Sequence, residues 1–172
     1  MRSLRFVLAL GVATLLHVAG VALFPQFSLA VDFFLVIVVF NAMDGNSVAG
    51  MFGGMVAGLV TDGVTGGYFG LYGIANTVIG YGTAITAQRL VIQRAASSLL
   101  VFAVAAAAQQ LILLGITLLF LTDTDLPQYS WVLVKVATTG LLGGALYLAN
   151  RRMRSRVEMW RRTRKTRIRF EG

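Results

Sequence analysis

The chain has 172 residues, of which 57% are hydrophobic and 13% charged, with a mean hydropathy of +0.77. A soluble domain carries about 25% charged residues, so this balance, with apolar runs near the roughly 20 residues that a helix needs to cross a bilayer, predicts an integral membrane protein. The lack of cysteine excludes a disulfide framework, a thiolate metal site and a cysteine nucleophile.

The net charge of +8 is unevenly placed. Residues 1–150 balance five basic groups (Arg2, Arg5, Arg89, Arg94, Lys135) against five acids (Asp32, Asp44, Asp62, Asp123, Asp125). From Arg151 onward, ten basic groups face only Glu158 and Glu171. A basic block that directly follows an apolar run points to a membrane surface carrying anionic lipid headgroups, and away from nucleic acid. The sequence therefore divides into a membrane domain, 1–150, and a basic cytoplasmic tail, 151–172. In the tail, Arg151, Arg152, Arg154, Arg156, Arg161 and Arg162 are the expected membrane-surface residues.

In chain order, the first apolar run is Leu4–Phe24. Arg2 and Arg5 give it the start of a signal peptide, but its length and the lack of a small-residue cleavage site predict an uncleaved first span. Pro25 ends it. The second run, about Leu29–Met43, has Asp32 near its start and is followed by the turn Asp44–Ser47. The third, Val48–Val64, is rich in glycine and leads into the turn TGGYFG. The fourth is about Leu71–Ala87, the fifth Ser97–Leu121, and the sixth, after the polar loop TDTDLPQ, about Tyr129–Asn150. Met153, Val157 and Trp160 recur at helical spacing, so the start of the tail is expected to continue the sixth span as an amphipathic helix.

Lys and Arg mark cytoplasmic segments. With the N-terminus inside, six spans place Arg2, Arg5, Arg89, Arg94 and the tail on one side and leave the opposite loops without a basic residue. The sequence thus predicts an all-α polytopic protein with six transmembrane helices and both termini cytoplasmic.

Within the third run, Gly50, Gly54 and Gly58 form two overlapping GxxxG steps that end at Asp62. Small residues at this spacing let helix backbones approach closely, within one chain or between subunits. Asp62, Asp32 and Lys135 fall at one expected depth, where charges find partners or mark a ligand or proton site. Asp62 is expected either to satisfy the glycine turn that follows it or to pair with Lys135. His17, Asn76, Gln109 and Gln110 read as polar contacts between helices. No nucleophile–base set or metal-ligand spacing is present, so no catalytic residue, metal or cofactor is expected.

The order of these features resembles the rod shape-determining protein MreD family. The resemblance spans roughly residues 4–150 and rests most on 48–82. Its main carriers are GMVAGLVTD (Gly54–Asp62), the following Gly66 or Gly67, and Gly70, preceded by VDFFLVIVVFNAM. It implies a multi-pass protein of the bacterial cytoplasmic membrane, a non-catalytic component of the cell-elongation machinery. Such a protein would work with MreC and connect MreB filaments to the peptidoglycan transpeptidase and glycosyltransferase. The interaction residues it implies are Gly50, Gly54, Gly58, Asp62, Gly66 and Gly70, with Asp32 and Lys135. It also implies a fold similar to the substrate-binding subunits of energy-coupling-factor vitamin transporters, which makes a small-molecule-binding transporter subunit the alternative function.

Overall fold

A computed structural model describes the backbone of residues 2–24, 26–43, 46–89, 95–120 and 129–170, and the side chains of 4–24, 26–43, 46–89, 97–120 and 130–153. Pro25, Asp44, Arg94, the loop TDTDLPQ, and the side chains of Arg154, Arg156, Arg161 and Arg162 lie outside the described residues.

The helices are α1 (Arg2–Leu23), α2 (Phe27–Ala30), α3 (Phe33–Ala42), α4 (Ser47–Thr65), α5 (Leu71–Arg89), α6 (Ala95–Phe120) and α7 (Tyr129–Phe170). No strand occurs among the described residues. Four stretches are long and apolar enough to cross a membrane: Leu4–Leu23, Ser47–Thr65, Ser97–Phe120 and Ser130–Met153. The other two of the six expected spans differ from that description, and for physical reasons.

The second run is split. Val31 is extended, and Asp32 leaves the helix to cap α3, with its Oδ1 accepting the N–H of Leu35 at 2.9 Å. A short acidic side chain that binds free backbone N–H groups favours this break over a continuous helix. The ten residues of α3 rise only about 15 Å, half of a roughly 30 Å hydrocarbon core. The fourth run forms α5, which has 19 residues but carries three glycines with Asn76, Thr77, Thr83, Thr86 and Gln88. It is too polar to count as a span by composition.

The helix α3 is an interior element, whereas α5 buries the face that carries Asn76 and Thr83 and exposes Ile74, Val78 and Tyr81 on the other. FFLVIVVFNA is apolar on every side, the pattern of a helix surrounded by protein, and Phe34, Leu35, Val36, Val38, Val39 and Ala42 are all buried. One core cluster joins Leu35, Val36 and Val39 to Ile79, Phe102, Ala105 and Ala106 of α5 and α6. A second joins Phe34 and Val38 to Leu10 and Ala13 of α1 and Ala57 of α4. The long helices α1, α4, α6 and α7 turn large apolar side chains outward, among them Leu15, Phe52, Leu119 and Leu133.

The glycine face of α4 lies against α5. A Cβ at Gly50 would sit 2.6 Å from the carbonyl oxygen of Gly80. One at Gly54 would overlap the carbonyl of Asn76, and one at Gly58 the carbonyl of Tyr72. The small residues therefore serve an intramolecular seam in which the two backbones nearly touch. At the other end of this pair, Gln88 Nε2 donates to Ser47 Oγ at 2.9 Å. A second close seam joins α6 and α7, where Gly143 faces the Phe102 ring and Gly144 faces Leu99. The helix α7 continues without interruption past residue 150 to Phe170, so the division at Arg151 is one of composition.

Candidate functional site

Two polar groups of residues stand in the apolar interior, and both use acids named by the sequence. The first forms around Asp62. Its helix ends at Gly66, which adopts a left-handed conformation (φ 68°) and donates its N–H to the Asp62 carbonyl at 3.2 Å. A residue with a Cβ is strained there, which is why glycine follows the acid at this distance. The chain then turns through Gly70 (φ 98°) into α5. The Asp62 carboxylate, 2% exposed, reaches across this turn to the first N–H groups of the next helix. Its Oδ2 accepts from Gly70 (2.9 Å) and Gly73 (3.0 Å), and its Oδ1 accepts from Tyr72 (2.9 Å). The first N–H groups of a helix have no partner within it and attract negative charge. Asp62 thus caps α5 from α4.

The second group forms around Asp32. Besides capping α3, Asp32 Oδ2 accepts from Gln109 Nε2 of α6 at 3.0 Å, and the Asp32 N–H donates to Thr139 Oγ1 of α7 at 3.1 Å. The same Gln109 nitrogen donates to Asn76 Oδ1 of α5 at 2.8 Å. Lys135 Nζ of α7 lies 3.9 Å from Asp32 Oδ2 and donates to the Tyr72 hydroxyl at 3.3 Å. It also sits 5.4 Å from the centroid of the Tyr72 ring, within cation–π range. Beside this group, Thr138 donates to the Ala30 carbonyl. Four of the helices, α3, α5, α6 and α7, thereby meet at one set of polar side chains.

Of the three titratable groups expected at one depth, the structure brings together Asp32 and Lys135. Asp62 has both oxygens occupied by backbone and does not pair with Lys135 directly. Tyr72 connects the two groups: its N–H binds Asp62 and its hydroxyl binds Lys135. Gly50, Gly54 and Gly58 lie in the seam between α4 and α5, while Gly66 and Gly70 shape the turn. Arg151 and Arg152 are exposed beyond this region. Sequence reasoning passed over Tyr72, Thr138 and Thr139. It also missed the α7 glycines, whose spacing GLLGG offered the same signal as the α4 stripe.

His17 of α1 is buried, with its ring 5.6 Å from that of Phe34. Among the described residues no group of three His, Asp or Glu side chains could hold a metal ion. The polar atoms at Asp32 and Asp62 are largely spent on each other and on backbone. That arrangement fixes helices in place, and it offers no nucleophile, base and open substrate position in common.

The sequence model of the rod shape-determining protein MreD family matches residues 1–147. The chain belongs to the MreD family. No curated protein and no solved structure matches it. The match covers both polar groups and the glycine seam, and the family gives this MreD chain a role in rod shape determination.

Proposed function

We propose that this MreD-family chain is a non-catalytic scaffold of the bacterial cell-elongation complex, seated in the cytoplasmic membrane. It presents a rigid helix surface to MreC, and through that complex links MreB filaments to the peptidoglycan transpeptidase and glycosyltransferase. The observation that carries this reading, besides the family, is the use made of the buried polar groups. Asp32, Asn76, Gln109, Thr139 and Asp62 tie five helices together. A scaffold needs such fixed geometry, because a partner docks well on a surface that pays little ordering entropy.

In this reading the bundle crosses the membrane six times with both termini cytoplasmic. The segment from Phe27 to Ala42 and the helix α5 are the two inner crossings. The break before α3 and the polar residues Asn76 and Thr83 of α5 are tolerated because they are buried in protein and not turned to lipid. The basic tail then lies on the anionic cytoplasmic surface. A small-molecule-binding subunit of the energy-coupling-factor type is the alternative with the same expected architecture.

Asp62→Asn tests the reading. Its amide would meet at least one backbone N–H, donor against donor, at the start of α5. The cost is about 1–3 kcal/mol, enough to loosen the turn and leave the span intact. The expected result is a lower yield of the assembled complex with membrane insertion near the wild-type level. Complex recovery equal to wild type would count against the proposed role of this turn.

A further inference from the structure

A groove of about 710 Å³ opens between α1 and α7, with α3 as its floor. This is within the size range of small-molecule sites, roughly 300–1,000 Å³. On α1 and α3 the lining changes from apolar to polar toward the same end of the groove. On α1 it begins with Arg5 before Phe6 and Ala9; on α3 it ends with Asn41 after Ile37 and Phe40; on α7 Asn150 follows Leu146 and Ala149 and precedes Met153. Because α1 runs opposite to α3 and α7, Arg5, Asn41 and Asn150 gather at one mouth. Among the described residues no acid lines the groove and Arg5 makes no ion pair. Asn41 Nδ2 donates one N–H to the Ala49 carbonyl at 3.4 Å, and an amide nitrogen carries a second N–H that can donate to a phosphate oxygen at the rim.

We infer that this groove holds one anionic phospholipid, with an acyl chain on the apolar floor and the phosphate at Arg5, Asn41 and Asn150. The depth of the groove favours a lipid over a partner helix. Its longest wall, from Leu146 to Met153, rises about 10 Å, within one leaflet, whereas a spanning helix needs a seam of roughly 30 Å. Charge complementarity fixes the headgroup class, since basic pockets between helices on the cytoplasmic side select anionic lipids. The inference rests on the orientation proposed above, which puts this mouth at the cytoplasmic surface. It is separate from the surface contacts of the basic tail.

The test is native mass spectrometry of the full chain in mild detergent with added phosphatidylglycerol or phosphatidylethanolamine. The expected result is one retained phosphatidylglycerol and little phosphatidylethanolamine. Arg5→Gln should reduce retention about fivefold, and Arg5→Lys should restore most of it. Ala149→Phe, at an exposed position, fills the groove without disturbing the core and should abolish retention. A tail variant carrying Arg161→Gln and Arg162→Gln should retain the lipid. Equal retention of both lipids, no effect of Ala149→Phe, or loss caused by the tail variant would overturn the inference. So would a photoreactive residue at position 149 that cross-links a polypeptide in membranes in place of lipid. Retention in detergent is independent of orientation, so a failure of the proposed topology is read separately. With no native cysteine, an impermeant thiol reagent on whole cells should label Tyr68→Cys and spare Met153→Cys.

Discussion

Asp32→Ala is expected to destabilise the bundle by about 3–5 kcal/mol, the range for removing one member of a buried charged pair. Three losses coincide at this position. The N-cap of α3 disappears, and with it the acceptor for the Leu35 N–H. Gln109 loses the bond that holds α6 to α3. Lys135, whose side chain is 12% exposed, is left without the nearby carboxylate. The measurement is the thermal unfolding midpoint of the detergent-solubilised chain. If the unpaired lysine contributes, Lys135→Met in the Asp32→Ala background should recover part of the loss, with a coupling of about 0.5–3 kcal/mol between the two sites. A double variant no more stable than Asp32→Ala would show that the 3.9 Å pair contributes nothing and that the cap and Gln109 carry the effect.

Gly54→Leu is expected to cost about 3 kcal/mol, at the upper end of ordinary overpacking. The atoms in the way are the backbone carbonyl of Asn76 and the Cα of Thr77. Side chains can rotate aside, but these atoms move only if α5 moves as a whole. Displacing α5 at this point would also shift Asn76 away from Gln109, so the damage spreads to the polar group. Gly63→Ala is the matched control. It lies on the same helix, is exposed, and has nothing within 4 Å of an added Cβ. There the helix should gain about 0.5–1 kcal/mol, because alanine loses less backbone entropy than glycine. Similar losses at both positions would mean that α4 and α5 do not form the close seam.

Much of the bundle was legible because it follows local rules. Helix α4, read as Val48–Val64, runs Ser47–Thr65, and α5, read as Leu71–Ala87, runs Leu71–Arg89. Long apolar runs bounded by glycine and polar turns fix such limits to within a residue or two. The GxxxG steps pointed to close packing, and the pairing of α4 with α5 gave them an address. Asp62 followed by glycines signalled a turn held by a carboxylate, since both halves of that motif are close in sequence.

What could not be read depended on distant contacts. In the run around Asp32, hydropathy alone did not separate one crossing helix from a broken one. The outcome turned on the carboxylate binding Leu35, Gln109 and Lys135, the last two 77 and 103 residues away by number. Asn76 and Gln109 were recognisable as polar contacts, but not as partners of each other. The low apolarity of α5 becomes intelligible once α4 and α6 are seen to meet the face that carries Asn76. The long helical tail agrees with the helical spacing of Met153, Val157 and Trp160 and with the strong helix propensity of arginine and lysine.

The central claim is that this chain is a rigid membrane scaffold for a protein partner. The most direct measurement is affinity purification of the full chain from its native membranes, with quantification of both co-purifying protein and bound small molecules. The account predicts a single-span partner, MreC, at a fixed stoichiometric ratio and, phospholipid apart, no small molecule that tracks the chain. Recovery of the chain without that partner, but with one small molecule other than phospholipid carried through at an equimolar level, would contradict it and establish the transporter-subunit reading.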